Sequence, residues 1–432
     1  MDACVIDFGA KSDGLALCTA EIQTAIDKCS ASGGGRVTLP RGLYLTGTLW
    51  LRDNVELHLR EGATLKASVD MKDYNELDAY PQNFSSPTTE KWLGKHLIVA
   101  LECKNVALTG RGTLDGSADA FFGEVEPQSI YAWRAGGRMA KDEETLRPGQ
   151  LVCFIECENV RVSDVTLTNM PCWGCFFHGC TGVTAHGIKV FNPETYMNTD
   201  GIDIDCCAHV RVSDCIIDTG DDAIAIRGSN KKLKNPDKIC EDVVVSDCEI
   251  GSASAGIRIG VGTGVIRNVQ ISNIKAHRAA PIVSIMSSYF GHGSTTIEDV
   301  KISNLTAESS NYALELIEGT DVPIRNILLE NFSITTDGFM SLESNFPSSV
   351  SGVTLKNWDV TLVKSPPPVY DYDIKKHGTA WLRARNINNL VISDFTLRVK
   401  EDALSSWCDG AFSFTDCNDR KISDTKIIDI PS

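Results

Sequence analysis

Along the chain, apolar and polar positions alternate in short runs that recur at a nearly fixed interval. One phrase repeats: a polar residue, then two apolar residues around a polar one, then Ser-Asp or Ser-Asn, then a second alternating run. It occurs at 159–167, 209–217, 242–250, 268–276 and 299–307, with weaker copies at Asn326, Gly352 and Asn389. The first apolar residue falls at 160, 183, 210, 243, 269, 300, 327 and 353, an interval of roughly 23 to 33 residues that lies in the solenoid range. Alternation puts one face of each run in a core and the other in water. Two or three such strands per repeat, with no helix between them, predict a coil of parallel strands. Asn, Asp and Ser at the corners suit left-handed backbone and local hydrogen bonds, which lets the chain change direction. The LxxLxL pattern of a leucine-rich repeat is absent. The expected fold class is all-β, a parallel β-helix forming a single domain over 1–432.

Three stretches depart from the pattern. Thr19 is placed to cap a helix over 18–32, with Ile22, Ala25, Ile26 and Cys29 on one face and Gly33-Gly34-Gly35 ending it. Such a helix would cover the open end of a solenoid. Residues 117–150 and 365–380 lack alternation and are read as long loops walling a cleft.

Composition narrows the function. Acidic residues number 57 against 41 basic, a formal net charge of −16, which disfavours nonspecific nucleic-acid or anionic-membrane partners. No stretch approaches the roughly 20 apolar residues of a membrane span. The first nine residues carry no charged-then-apolar leader, so a cytoplasmic protein is expected, or a secreted one whose leader has been removed. The 16 cysteines favour the same expectation, because several open the repeat at one position (Cys103, Cys157, Cys180, Cys240) and read as small buried apolar residues. No CxxC pair or Cys/His grouping has zinc spacing, and neither a metal nor another cofactor is expected.

The densest chemistry lies in Asn198-Thr199-Asp200-Gly201-Ile202-Asp203-Ile204-Asp205 and Gly220-Asp221-Asp222-Ala223-Ile224-Ala225-Ile226-Arg227. Asp200 and Asp221 are 21 residues apart, close to one coil, and successive coils lie about 4.8 Å apart. The two segments therefore bring their acids together. Mutual repulsion favours keeping a proton on one of them, and a protonated acid facing an ionised base is what acetal hydrolysis needs. Strand parity alone nominates Asp203 and Asp221. Asp200 and Asp222 share the inward parity of the isoleucines, unless Gly201 and Gly220 break the regular strand.

These two runs resemble the polygalacturonase group, glycoside hydrolase family 28. The similarity extends to Asp7-Phe8-Gly9-Ala10, to Gly35-Arg36-Val37-Thr38-Leu39-Pro40-Arg41-Gly42 and to Gly110-Arg111-Gly112-Thr113-Leu114-Asp115-Gly116. It implies a single-stranded right-handed parallel β-helix of the pectin-lyase-like kind and inverting hydrolysis without a cofactor. By position, Asp221 would be the general acid, while Asp200 and Asp222 would hold and activate water, with carboxyl groups about 6.5–9.5 Å apart. Two departures stand out. Ala255 falls where the family's Gly-His-Gly motif has its His, and Ser284-Ile285-Met286 falls on its uronate-gripping Arg-Ile-Lys. Gly291-His292-Gly293 has the right letters about a coil too late. The candidate substrate-binding residues are Asn198, Asp203, Arg227, Arg258, Tyr196 and His292. Trp173, Phe176, Phe177 and His178 are a candidate sugar platform, with Trp92 and Trp133 in the wall loops. The expected substrate is a pectic oligosaccharide or glycoside, cleaved from its end. With both Arg-Ile-Lys cations missing, a neutral terminal sugar such as rhamnose competes with a uronate. A pectate-lyase-like enzyme recruiting Asp203, Asp205 and Arg227 around a cation, and a noncatalytic carbohydrate-binding β-helix, are the alternatives. Nothing in the sequence sets the oligomeric state.

Overall fold

The computed structural model describes residues 1–76, 78, 92–123, 146–231, 233–288, 293–308, 314–318, 321–347, 349–363, 380–407 and 409–431. Two compact units are defined, Met1–Ala225 with Lys232–Lys238, and Ile226–Lys231 with Ile239–Ser432. Each is built from parallel strands, and the fold is a right-handed parallel β-helix.

In the first unit the repeated phrase forms Lys104–Thr109, Glu158–Ser163, Thr181–His186 and Ala208–Ser213, paired in parallel. Their register stacks Val106, Val160, Val183 and Val210 in one buried column. The residue before each valine sits at a corner. Asn105, Asn159 and His209 adopt left-handed backbone there, and Gly182 does the same where no side chain is present. The asparagine amides link along the column, Asn159 donating to Asn105 at 2.7 Å and Asn105 to Asn54 at 2.8 Å. The Asp of the Ser-Asp pair marks a second left-handed corner at Asp164 and Asp214. A facing sheet contains Ile98–Leu101, Val152–Ile155, Cys175–His178 and Ile202–Asp205. Phe154 and Phe177 stack across it with ring centroids 5.5 Å apart.

The second unit repeats the plan with longer strands. Cys240–Ser252, Val265–Arg278, Thr296–Ala307, Ile324–Thr336 and Val350–Leu362 align Val243, Val269, Val300, Ile327 and Val353. Left-handed Asn273, Asn304, Asn331 and Asn357 turn the chain within these strands, each amide donating to the previous one at 2.8–3.0 Å.

The expected cap is a helix over Thr19–Ala31, and Ile22, Ala25, Ile26 and Cys29 are all buried. Thr19 does not cap it. Cys18 holds the N-cap position, and the Thr19 hydroxyl accepts instead from Gly47 N–H at 2.8 Å, joining the helix to the first coils. The cysteine column forms as read. The thiols of Cys157, Cys180 and Cys207 donate to the carbonyls of Ala100, Phe154 and Phe177 at 3.2–3.3 Å. All described cysteines are free thiols, and burial pushes the Cys180 thiol well up. No helix among the described residues is long and apolar enough to cross a membrane.

Candidate active site

The site forms where two coils of the first unit leave the corner before the facing sheet. The strands begin only at Ile202 and Ile224, so Asp200, Asp221 and Asp222 stand in the preceding bends, outside the alternation. Backbone pairing sets them side by side, with Gly201 N–H donating to Asp222 carbonyl at 2.9 Å and Ile202 N–H to Ala223 carbonyl at 3.1 Å. The glycines allow this approach. A Cβ on Gly201 would lie 2.5 Å from the Ala223 carbonyl oxygen, and one on Gly220 only 2.0 Å from that of Tyr196. Their role is close packing, where the sequence suggested a break in strand geometry.

One carboxylate oxygen from each of Asp200, Asp221 and Asp222 lies within 4.8 Å of the other two, and all three residues are buried. Asp221 accepts from the Asn198 amide at 3.1 Å through Oδ2 and from the Asp222 amide at 3.0 Å through Oδ1. These donors fix its orientation. Three ionised carboxylates so close would repel one another, which favours a shared proton or a bound cation there. Oxygens no more than 4.8 Å apart can be bridged by one water at about 2.8 Å from each, so a pair of these carboxylates can hold a water. The same spacing suits an oxygen-liganded cation.

The bend carrying Asn198 is braced from several sides. Asn198 itself is in left-handed backbone. Arg147, almost fully buried, donates to Asn198 Oδ1 at 2.7 Å and to the Pro171 carbonyl, and its guanidinium lies 5.2 Å from the Phe122 ring centre. Phe122 stacks on Tyr196 at 4.4 Å, and the Tyr196 hydroxyl donates to Asp119. Thr199 Oγ1 donates to the Tyr196 carbonyl and accepts from Gly220 N–H. Arg147 was missed in the sequence. Its available signal was an Arg-Pro pair re-entering strand, Arg147–Pro148, after a stretch read only as loop.

Several candidates are packed within the protein. Tyr196 is 2% exposed and its ring and hydroxyl face the protein. Asn198 spends its side-chain carbonyl on Arg147. Asp203 is wholly buried, paired in register with Phe176, and Asp205 is nearly so. Trp173, Phe176, Phe177 and His178, the candidate platform, are all buried. Trp173 packs edge-on to Phe176 at 5.3 Å and against Trp92 at 6.1 Å, in a cluster with Cys153, Cys172 and Leu233. Backbone pairing places Trp173 directly beside Asp200 on the previous coil, since Gly174 N–H donates to the Asp200 carbonyl at 2.8 Å. An aromatic plug therefore occupies the column on one side of the acids.

Arg227 and Arg258 belong to the second unit and are largely buried. Arg258 Nη1 lies 3.3 Å from Ser284 Oγ and 3.2 Å from Met286 Sδ. Its guanidinium thus covers the two positions where the resemblance would have had an Arg and a Lys. His292 and Trp133 lie outside the described residues, as do most of the two expected wall loops.

A parallel β-helix with three convergent carboxylates at one corner is the class that fold and site define. The sequence profile described as glycosyl hydrolases family 28 matches residues 29–241. That match spans just under half of the chain, and over those residues the chain is similar to the family. It is 29% identical over 229 residues to a probable polygalacturonase of Vitis vinifera, a match covering 52% of this chain and 44% of that protein, so less than half of the relative is spanned. It is 25% identical over 425 residues to the exo-poly-alpha-D-galacturonosidase of Dickeya chrysanthemi, covering 81% of this chain and 69% of the relative. Among solved structures, the exopolygalacturonase of Thermotoga maritima matches with a TM-score of 0.66 at 23% identity, over 99% of this chain and 92% of that one, which shows the fold.

Proposed function

We propose that the protein is an inverting glycoside hydrolase that removes the terminal sugar from a pectic oligosaccharide. The observation that carries this reading is the convergence of Asp200, Asp221 and Asp222, one carboxylate oxygen of each within 4.8 Å of the others. In this mechanism Asp221, oriented by two backbone amides, protonates the leaving glycosidic oxygen. Asp200 and Asp222 draw a proton from the water as it attacks the anomeric carbon from the opposite face of the ring. The bond broken joins the anomeric carbon to the leaving oxygen, and the product is a reducing sugar of inverted configuration.

The plug of Trp92, Trp173 and Phe176 supports action at a chain end, because a sugar chain cannot continue past Asp200 through a packed aromatic cluster. Within the second unit, Arg258 lies over Ser284 and Met286 as a cation suited to a uronate. Hydrolysis needs no cation. The lyase alternative does, and it gives an unsaturated product that absorbs in the ultraviolet.

Turnover of oligogalacturonides and neutral pectic glycosides, with and without a chelator, tests the reading. Saturated monosaccharide released equally with and without chelator is expected, and an unsaturated, chelator-sensitive product would overturn it. NMR of the first-formed anomer tests inversion separately.

A further inference from the structure

In the second unit, strand pairing sets one row of side chains on the outer face of the facing sheet: Arg258, Ser284, Glu315, Ser341, Arg383 and Ser413. At one end the row is joined internally. Arg258 donates to Ser284, and Ser284 to Glu315 at 3.4 Å. At the other end the joining stops. Ser341 is 1% exposed and its Oγ has no hydrogen-bond partner among the described residues. Arg383, on the neighbouring strand and 7% exposed, donates through Nε to Glu343 at 3.0 Å, while neither Nη1 nor Nη2 has an acceptor among the described residues.

Charge is unbalanced at the same place. Glu343 also receives Arg385 at 3.5 Å, so one carboxylate serves two guanidiniums. A buried guanidinium with both terminal nitrogens unanswered is costly, because donors stripped of water lose their full desolvation energy. Its plane is held over Phe339, 5.0 Å from the ring centre, which presents the two Nη groups as a fixed fork. A fixed fork with one net positive charge matches a carboxylate, one oxygen to each nitrogen.

We propose that Arg383 and Ser341 form a carboxylate-binding subsite, occupied by a uronic acid of a bound acidic oligosaccharide. The carboxylate accepts from both Arg383 Nη groups and from the Ser341 hydroxyl. Arg258 stands four strands away along the same face, about 19 Å at the usual strand spacing, so the subsite would engage a different sugar from the one at Arg258. Only the source of the carboxylate rests on the proposed function; the anion site itself does not.

The test is calorimetric titration of the full chain carrying Asp221→Asn, which prevents turnover. The probes are trigalacturonate, its methyl-esterified form and inorganic phosphate. Adding Arg383→Gln is expected to weaken trigalacturonate binding at least tenfold and leave the methyl ester unchanged. Adding Ser341→Ala should weaken it less, in the same direction, and this milder change keeps the test available if the Arg383 variant fails to fold. Equal trigalacturonate affinity with and without these changes would overturn the subsite. Phosphate binding that depends on Arg383, with trigalacturonate indifferent, would overturn the sugar as occupant. Charge-selective, Arg383-dependent binding in a chain whose wild type turns over no glycoside would keep the subsite and sink the hydrolase reading instead.

Discussion

Arg147→Met would show how far the site depends on a residue that touches none of the three carboxylates in the contacts described above. The substitution keeps an apolar stem over Phe122 but strands two buried acceptors, Asn198 Oδ1 and the Pro171 carbonyl. Each stranded acceptor costs about 1–3 kcal/mol, so the chain should lose roughly 2–6 kcal/mol locally. Melting should drop by several degrees while remaining cooperative. The larger effect should be catalytic. Freed from Arg147, the bend at Asn198 no longer holds its amide against Asp221 Oδ2, and displacement of a reacting group by about 1 Å can cost on the order of a hundredfold in rate. Initial rates on whichever substrate the wild type hydrolyses should show kcat reduced by about that factor and KM changed little. Arg147→Lys keeps the charge without the fork and should recover part of the loss. A folded Arg147→Met protein with wild-type kcat would refute the reasoning.

Other consequences are equally open to measurement. Gly220→Ala, whose Cβ would lie 2.0 Å from the Tyr196 carbonyl oxygen, should displace the acid-bearing bend and abolish turnover while far-ultraviolet circular dichroism stays that of the wild type. Trp173→Ala should destabilise by about 3–5 kcal/mol as a buried aromatic is lost. It should also open the plugged side, so that chromatography of the products shows fragments longer than one sugar. Thiol titration of the native protein should label Cys4 and Cys417 first, because burial raises the Cys153 and Cys180 thiols far above neutral pH; those two should react only after denaturation.

Much of this fold was legible because each repeat carries its own instructions. The valine columns and the left-handed corners at Asn159, Asp164, Asn273 and Asn304 follow from alternation and turn chemistry that are local in sequence. The carboxylate trio was legible from spacing and resemblance but not from parity. Parity favoured Asp203, whereas the strands start two residues after Asp200 and Asp222 and leave those acids free of the alternation. The aromatic run at 173–178 reads the same whether it faces a sugar or fills a plug. Only the approach of Trp92, 81 positions before Trp173, decides it. Beyond the Arg-Pro pair, nothing marked Arg147, because its partner Asn198 is 51 residues away and their contact leaves no periodic trace. Thr19 looked like a cap, yet the neighbouring coil offered its hydroxyl the Gly47 amide, and that tertiary partner won.

The central claim is that Asp221, set between Asp200 and Asp222, donates the proton in glycoside hydrolysis. The most direct test compares products released from an oligogalacturonide and neutral glycoside panel by the wild type and by Asp221→Asn. The account predicts a saturated reducing monosaccharide from the wild type and a rate lower by about 10²–10⁴ in the variant, the range for a lost general acid. Undiminished turnover by Asp221→Asn would contradict it.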